Sequence, residues 1–143
     1  KRLLLSAREW ATARLYDLQA NGALFGLIHA DSHLDNVLIS GDRLGLIDFD
    51  DCCYGWLAFD MCVALHSSWG HADFASIRDH FLAGYEMQHA LQADILQQLD
   101  LFLLLRSLQL VSWREMRPDI AANLRKELWM PKLAQDIQKA LAS

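Results

Sequence analysis

The sequence is short of basic residues and of cysteine, and each shortage argues against a class of protein. Its 143 residues include 13 Lys and Arg against 18 Asp and Glu, for a formal net charge of -5. A surface for nucleic acid or an anionic membrane favours clustered basic residues, so we expect neither partner. The cysteines Cys52, Cys53 and Cys62 show neither metal-type spacing nor an even number. That pattern favours a reducing compartment and a cytoplasmic location.

Long apolar runs and low-complexity segments are also lacking. The longest apolar run, 99–111, is interrupted by Asp100, Arg106 and Gln109, which makes it too short and too polar for a bilayer. We therefore expect no membrane span. With 53% hydrophobic and 22% charged residues, the chain has the composition of a globular protein. Its length fits a single domain, 1–143, which can bury a core without disulfides.

Apolar periodicity predicts helices over most of the chain. A last helix is expected from a cap at Asp119, broken at Pro131 and resumed to about residue 140. The other predicted helices cover residues 2–20, about 56–69, 73–89 and 93–114. Residues 50–55 are predicted as a loop. The expected fold class is therefore mainly α with a small β-hairpin.

The β-structure is predicted around one short polar stretch. Strand-like runs at 24–29, 36–39 and 44–49 surround it, and the turn Ser40-Gly41-Asp42-Arg43 joins the last two as a hairpin. If residue 40 pairs with residue 44 around a three-residue loop, or a bulge has the same effect, Asn36 and Asp48 face each other. The hairpin would then bring an amide and a carboxylate side by side.

The side chains that could take part in catalysis or metal binding lie in and just after this stretch. His29, Asp31, His33 and Asn36 fall within eight residues, and Asp48 follows twelve residues after Asn36. A loop carboxylate such as Asp31 can orient or deprotonate a substrate hydroxyl. Amide and carboxylate oxygens, as on Asn36 and Asp48, suit Mg²⁺, with nucleotide phosphates supplying further ligands.

Structural roles compete with functional ones at several of these positions. His29 and His33 are expected to tie the loop to neighbouring backbone rather than to act in catalysis. Asp60 lies in an apolar helical stretch and needs donors, so we expect it to anchor the backbone of the 29–36 loop. Asp50 and Asp51 would attract a cationic substrate, or would simply form a solvated loop.

The stretch 29–38, HADSHLDNVL, resembles the H-G-D-x-H-x-x-N signature of the aminoglycoside phosphotransferase and choline kinase-like superfamily. Ile47-Asp48-Phe49, followed by Gly55 and Asp60, resembles that superfamily's next segment, I-D-F/W…G…D. The resemblance implies the helical C-terminal lobe of a protein-kinase-like fold, with a catalytic and metal-binding segment at 27–65 and a helical subdomain at 66–143.

The resemblance also implies roles for individual residues. Asp31 would be the catalytic aspartate, and Asn36 and Asp48 would bind the Mg²⁺ that bridges the ATP phosphates. His29 and Asp60 would support the loop. Ala30 stands where the family usually has Gly, and this difference matters only if the position needs a positive φ.

The expected activity is that of a kinase, using ATP and Mg²⁺ to phosphorylate a hydroxyl of a small molecule. An aminoglycoside, a choline-like amine, a homoserine-like amino acid and a sugar all remain open as acceptors. Within this sequence we find no candidate for the phosphate-covering loop, the phosphate-binding Lys or the adenine hinge, so we expect it to correspond to the C-terminal lobe. We therefore expect the C-terminal lobe alone to be weakly active or inactive, and to self-associate through the surface where the other lobe would pack.

Two other functions remain open. The first is a metal-dependent hydrolase that binds zinc through His29, Asp31 and His33, with Asp48 as a further ligand, although this leaves Asn36 unexplained. The second is a non-catalytic, lobe-only module that acts by binding a partner.

Overall fold

The computed structural model describes residues 2–117 and 126–142, and it confirms the predicted fold class of mainly α with little β-structure. The predicted cap at Asp119 lies outside the described residues. In chain order the elements are α1 (Arg2–Ala20), β1 (Phe25–Ile28), a 3-10 turn (Leu34–Asn36), β2 (Val37–Ser40), β3 (Arg43–Leu46), β4 (Cys53–Trp56), α2 (Leu57–His66), α3 (Phe74–Glu86), α4 (Ile95–Glu115) and α5 (Lys126–Ala142).

The chain divides into two compact units, Lys1–Gly22 with Leu104–Ser143, and Ala23–Leu103. In the first unit α1 packs against α5. Ala7 is completely buried there among Leu104, Leu133 and Ile137, since a small side chain lets two helices approach closely. The predicted break at Pro131 is wrong, because α5 runs through that residue. A proline removes one intrahelical hydrogen bond, and burial of the apolar stripe beyond it keeps the helix intact.

In the second unit β1 pairs antiparallel with β4, in a register that sets Gly26 opposite Gly55. Here the prediction of a loop over residues 50–55 is wrong, since β4 begins at Cys53. This strand shows no apolar alternation, and its partner lies about thirty residues earlier in the sequence. A Cβ at Gly55 would lie 2.5 Å from Ile28 Cδ1, so this position fits a residue without a side chain.

Helix α4 supplies much of the core of the second unit. Its Phe102 ring lies 5.8 Å from that of Trp56 and 6.0 Å from that of Phe59. The helix extends past the 99–111 run, and over Ile95–Arg114 its length and composition would allow it to cross a membrane. Core helices of soluble proteins meet the same criterion. Leu99 and Leu103 are each 1% exposed, as in such a core helix.

The register of β2 and β3 decides whether Asn36 faces Asp48. Ser40 pairs with Arg43 around the two-residue turn Gly41-Asp42, so the 40–44 pairing that would set those two residues opposite each other does not occur. Gly41 has a φ of 62°, the positive value that a type II′ turn requires at its first central residue. The Ile47 N–H donates to the Asn36 carbonyl at 3.0 Å. Asn36 therefore faces Ile47, and Asp48 follows as the next residue.

Apolar side chains on both faces of this hairpin are exposed. Ile39 and Leu44 lie opposite each other on one face and are 76% and 69% exposed, and Leu38 on the other face is 55% exposed. A two-stranded hairpin is only marginally stable in water, and an apolar surface of this kind commonly marks a site of contact.

Candidate functional site

The loop 29–36 is held to the start of α2 by the carboxylate of Asp60. The His29 N–H donates to Asp60 Oδ2 at 3.0 Å, and the Ala30 N–H donates to Oδ1 at 2.9 Å. The Ser32 hydroxyl donates to the Asp60 carbonyl at 2.9 Å and lies 3.2 Å from Oδ1. These donors satisfy a half-buried carboxylate that would otherwise be costly to remove from water. The structure thus places Asp60 where the sequence analysis expected a loop anchor.

Ser32 is a contributor that the sequence analysis missed. Its side chain is buried and its hydroxyl joins the loop to the Asp60 residue. The signal in the sequence is weak because serine is common in polar loops, where its hydroxyl usually bonds its own neighbours.

Ala30 occupies a backbone conformation that favours glycine. Its φ is 65°, in the left-handed region, where a Cβ costs about 1–2 kcal/mol. This conformation accompanies the convergence of the His29 and Ala30 N–H groups on one carboxylate. The position therefore does require a positive φ, which explains the glycine at this point of the family signature.

His29 connects the loop 29–36 to the end of the hairpin through both of its ring nitrogens. Its Nε2 lies 2.9 Å from the Ile47 carbonyl and donates to it, and its Nδ1 accepts the Asp31 N–H at 3.3 Å. These bonds fit the neutral tautomer with the proton on Nε2. The ring also lies 4.5 Å from the ring of Phe49. A single imidazole thus connects the backbone of Asp31 to the segment that carries Asp48.

Asp31, His33 and Asn36 come together within the loop. Asn36 Nδ2 donates to the Asp31 carbonyl at 2.9 Å and lies 3.4 Å from Asp31 Oδ2. His33 Nε2 lies 3.2 Å from the same Oδ2. Because the Asn36 amide nitrogen is used in this way, its Oδ1 is the atom that can bind a metal.

Asp48 lies at the end of the hairpin, next to the residue that pairs with Asn36. The Ile47 bond to the Asn36 carbonyl is the last of the ladder, and Asp48 then turns the chain with a φ of 64°. Aspartate tolerates this left-handed conformation better than most residues. Asp48, Asp50 and Asp51 are all exposed. The structure therefore leaves these three carboxylates open to solvent beside the loop.

No zinc site of the kind that the hydrolase alternative needs is assembled in the part of the chain that the structure describes. Within residues 2–117 and 126–142, no three His, Cys, Asp or Glu side chains are grouped so that they could hold a metal ion. Both nitrogens of His29 are already used in hydrogen bonds. A magnesium site of one amide and one carboxylate needs no such trio.

Tyr85, on α3, interacts electrostatically with the Asp60 carboxylate. Burial raises the pKa of the Tyr85 hydroxyl above its ordinary value, and the Asp60 carboxylate adds to that rise. The tyrosine is therefore a neutral phenol at physiological pH, and α3 contributes an uncharged group near the carboxylate that holds the loop.

Comparison with known proteins bears on this arrangement. The profile of the APH family, described as the phosphotransferase enzyme family, matches residues 1–102, which include the whole loop and hairpin. The chain belongs to the phosphotransferase enzyme family. The superfamily indicated by the two sequence motifs is thereby confirmed.

Curated relatives of this phosphotransferase chain include several bacterial homoserine kinases. That of Rhizobium meliloti (strain 1021) is 41% identical over 81 residues, which are 53% of this chain and 24% of that protein. That of Sinorhizobium fredii (strain NBRC 101917 / NGR234) is 56% identical over 43 residues, 29% of this chain and 13% of the relative. The matched segment thus spans about a quarter or less of each of these relatives.

Solved structures show the same fold over nearly the whole chain. An amicoumacin kinase in complex with AMP-PNP, Ca²⁺ and Ami superimposes with a TM-score of 0.77 at 23% identity, covering 99% of this chain and 44% of that one. A microcompartment-associated aminopropanol kinase gives a TM-score of 0.68 at 26% identity, covering 99% and 43%. The predicted kinase-like fold is therefore confirmed, and the chain spans less than half of each of these structures.

The left-handed conformation of Ala30 predicts that Ala30→Gly stabilises the protein. Relief of the Cβ strain outweighs the greater freedom of glycine in the unfolded chain, for a net gain of about 0.5–1 kcal/mol in the free energy of unfolding. The matched control is Ala72→Gly in an exposed turn where φ is not positive. Urea unfolding should show a gain at Ala30 and a small loss at Ala72, and a loss at both positions would contradict the argument.

The anchoring role of Asp60 predicts that Asp60→Asn destabilises the loop and with it the second unit. An amide keeps one acceptor but turns an N–H toward a backbone N–H, so we expect a loss of about 2 kcal/mol in the free energy of unfolding. Asp17→Asn, at an exposed position of α1, should change it by less than about 0.5 kcal/mol. Equal small effects of the two variants in chemical unfolding would exclude the anchor.

Proposed function

We propose that this protein is a kinase that uses ATP and Mg²⁺ to phosphorylate a hydroxyl of a small molecule. The observation that carries the proposal is the placement of Asp31 and Asn36 in one hydrogen-bonded loop, with Asp48 directly after the ladder bond to Asn36. The membership of the phosphotransferase family and the homoserine kinase relatives support it. A base for the acceptor hydroxyl and two oxygen donors for the metal are the protein groups that phosphoryl transfer needs.

In this mechanism Asp31 accepts a hydrogen bond from the acceptor hydroxyl and orients its oxygen toward the γ-phosphorus of ATP. The new O–P bond forms as the bond from that phosphorus to the β–γ bridging oxygen breaks. ADP leaves with the electron pair, and the hydroxyl proton passes to Asp31. Asn36 Oδ1 and the Asp48 carboxylate would hold Mg²⁺, which when bound neutralises charge on the phosphates.

The hairpin offers an apolar surface beside this site for the nucleotide base. Since side chains alternate along a strand, Asn36 and Leu38 share one face of the hairpin, and Ile47 faces Asn36 on the paired strand. Leu38 and Ile47 are 55% and 42% exposed. Gly45, opposite Leu38, has open space where a Cβ would stand. A flat apolar ring fits such a surface while its phosphates extend toward the metal ligands.

For the acceptor, we propose an alcohol that also carries an amine. Homoserine and aminopropanol, named in the relatives, both have a hydroxyl and an amine. Asp50 and Asp51 are exposed just after Asp48 and would attract a cationic group near the phosphate-transfer site. A homoserine-like amino acid and a small amino alcohol are therefore the first acceptors to test.

Two variants of the full-length protein separate the proposed metal and base roles. Asp48→Asn should weaken Mg²⁺-dependent ATP binding about tenfold or more, since it replaces a charged ligand with a neutral one. Asp31→Asn should lower kcat about 10²-fold or more and leave that binding within about threefold. Calorimetry and steady-state kinetics measure the two quantities.

The matched control for these variants is Asp42→Asn, in the exposed hairpin turn, which should change neither quantity. Metal-dependent ATP binding that survives Asp48→Asn unchanged would contradict the metal site. Full turnover by Asp31→Asn would contradict the assigned base.

We also infer that the hairpin supports self-association of this chain. Ile39 and Leu44 form the apolar face opposite to that of Asn36, and both are largely exposed. Light scattering on the 143-residue chain should detect dimers or larger species, because burial of such a face is favourable at about 25 cal/mol per Å². The double variant Ile39→Lys, Leu44→Lys should be monomeric, whereas Tyr16→Lys, at an exposed apolar position on α1, should associate like the parent. A monomeric parent chain would exclude this surface.

A further inference from the structure

His33 occupies the second histidine of the H-G-D-x-H-x-x-N signature, and its ring contacts side chains of the loop rather than the backbone. Its Nε2 lies 3.2 Å from Asp31 Oδ2 and 3.5 Å from Asn36 Nδ2. Its Nδ1 is buried without a hydrogen-bond partner among the described residues, and the Asp35 carboxylate is 3.7 Å away. The imidazole is therefore used on one side only, and that side faces the carboxylate of the candidate base.

The direction of this contact follows from the chemistry of the two groups. An ionised carboxylate only accepts hydrogen bonds, so His33 Nε2 donates its proton to Asp31 Oδ2. The other ring nitrogen, Nδ1, has no hydrogen-bond partner in the described part of the chain. Burial of this nitrogen without a partner costs free energy, and the bond from Nε2 to Asp31 offsets that cost.

We propose that His33 is a positioning residue that fixes the rotamer of the Asp31 carboxylate. The backbone of Asp31 is already held, because its N–H bonds to His29 Nδ1 and its carbonyl to Asn36 Nδ2. Those contacts leave the side-chain torsions undetermined. His33 Nε2, with Asn36 Nδ2 at 3.4 Å from the same Oδ2, supplies donors at the carboxylate itself.

This inference rests on the proposed phosphotransferase function and makes it more specific. A base must stand within hydrogen-bond reach of the acceptor hydroxyl, and an error of about 1 Å in such a group can cost about 10² in rate. With Oδ2 fixed by His33, the orientation of the whole carboxylate toward the acceptor is set before the acceptor binds. The contribution of His33 should therefore appear in kcat rather than in nucleotide affinity.

Two amide substitutions in the full-length protein test the role. A glutamine amide nitrogen can reach the place of the imidazole Nε2, whereas that of the shorter asparagine matches only Nδ1. With ATP and either homoserine or aminopropanol, His33→Asn should lower kcat about tenfold or more and leave the KM for ATP within about twofold. His33→Gln should retain kcat within about threefold. His80→Asn, an exposed histidine on α3, should behave as wild type.

The outcomes separate positioning from simple support of the loop. A purely structural role would lower stability and would affect His33→Asn and His33→Gln alike, with no rescue by the longer amide. Equal losses of kcat in the two variants would overturn the proposal, as would a His33→Asn variant with wild-type kcat.

A spectroscopic measurement tests the contact without turnover. In the full-length protein labelled with ¹⁵N-histidine, His33 should show the Nε2-protonated tautomer, and Asp31→Ala should shift its Nε2 signal because the acceptor is gone. A ring protonated on Nδ1 and not on Nε2, or an Nε2 signal that is unchanged in Asp31→Ala, would overturn the proposal. A wild-type protein that transfers no phosphate to either acceptor would instead count against the proposed function, and the nitrogen signals would still decide on the contact.

Discussion

The paired hydrogen bonds from the His29 and Ala30 N–H groups to the Asp60 carboxylate are the contact on which the rest of the site depends. They join the end of β1 to the first turn of α2 and fix the left-handed backbone of Ala30. That backbone orients the His29 ring, and the ring in turn holds the Asp31 N–H and the Ile47 carbonyl. A strained residue persists here because a charged acceptor with two donors is worth more than the strain costs.

The residues that support the site can be ordered by how directly each contacts the Asp31 carboxylate. Asp60 bonds to loop backbone and to Ser32, His29 bonds to backbone at Asp31 and Ile47, and His33 reaches the Asp31 carboxylate itself. The backbone of Asp31 is therefore fixed by His29 and Asn36, and its side-chain torsions are fixed by contacts of its carboxylate with neighbouring side chains. Asp48 follows Ile47, whose N–H donates to the Asn36 carbonyl and whose carbonyl accepts from His29 Nε2. A metal held by Asn36 and Asp48 would add a further tie between loop and hairpin to the one that the His29 ring makes at the Ile47 carbonyl.

The sequence allowed the prediction of those features that depend on residue type at a fixed spacing. The helices, the hairpin and the grouping of Asp31 with Asn36 follow from local periodicity and a short loop. The register of the hairpin did not follow, because two- and three-residue turns are both compatible with Ser40-Gly41-Asp42-Arg43, and the chain uses Gly41 for the tighter one. Strand β4 was missed because its stability comes from β1, which is distant in sequence. The φ of Ala30 could not be read from alanine itself, and the only signal for a left-handed residue was the glycine of the family signature at this position.

The hairpin that carries Asp48 is exposed to solvent, whereas the proposed phosphoryl transfer needs a site from which water is largely excluded. Every residue from 38 to 51 is exposed, and this range includes Asp48. Phosphoryl transfer relies on charges that act in a site from which water is largely excluded, where each interaction is stronger than in bulk solvent. Since Asp48 is exposed and Leu38 presents bare apolar surface on the face of Asn36, the hairpin itself does not exclude water. A nucleotide base on the Leu38 face would dry one side of the site, and a second body on the Ile39 face would bury the other. If the proposed function holds, the apolar residues that make the isolated hairpin unfavourable in water would thus help to create the environment that the carboxylates need.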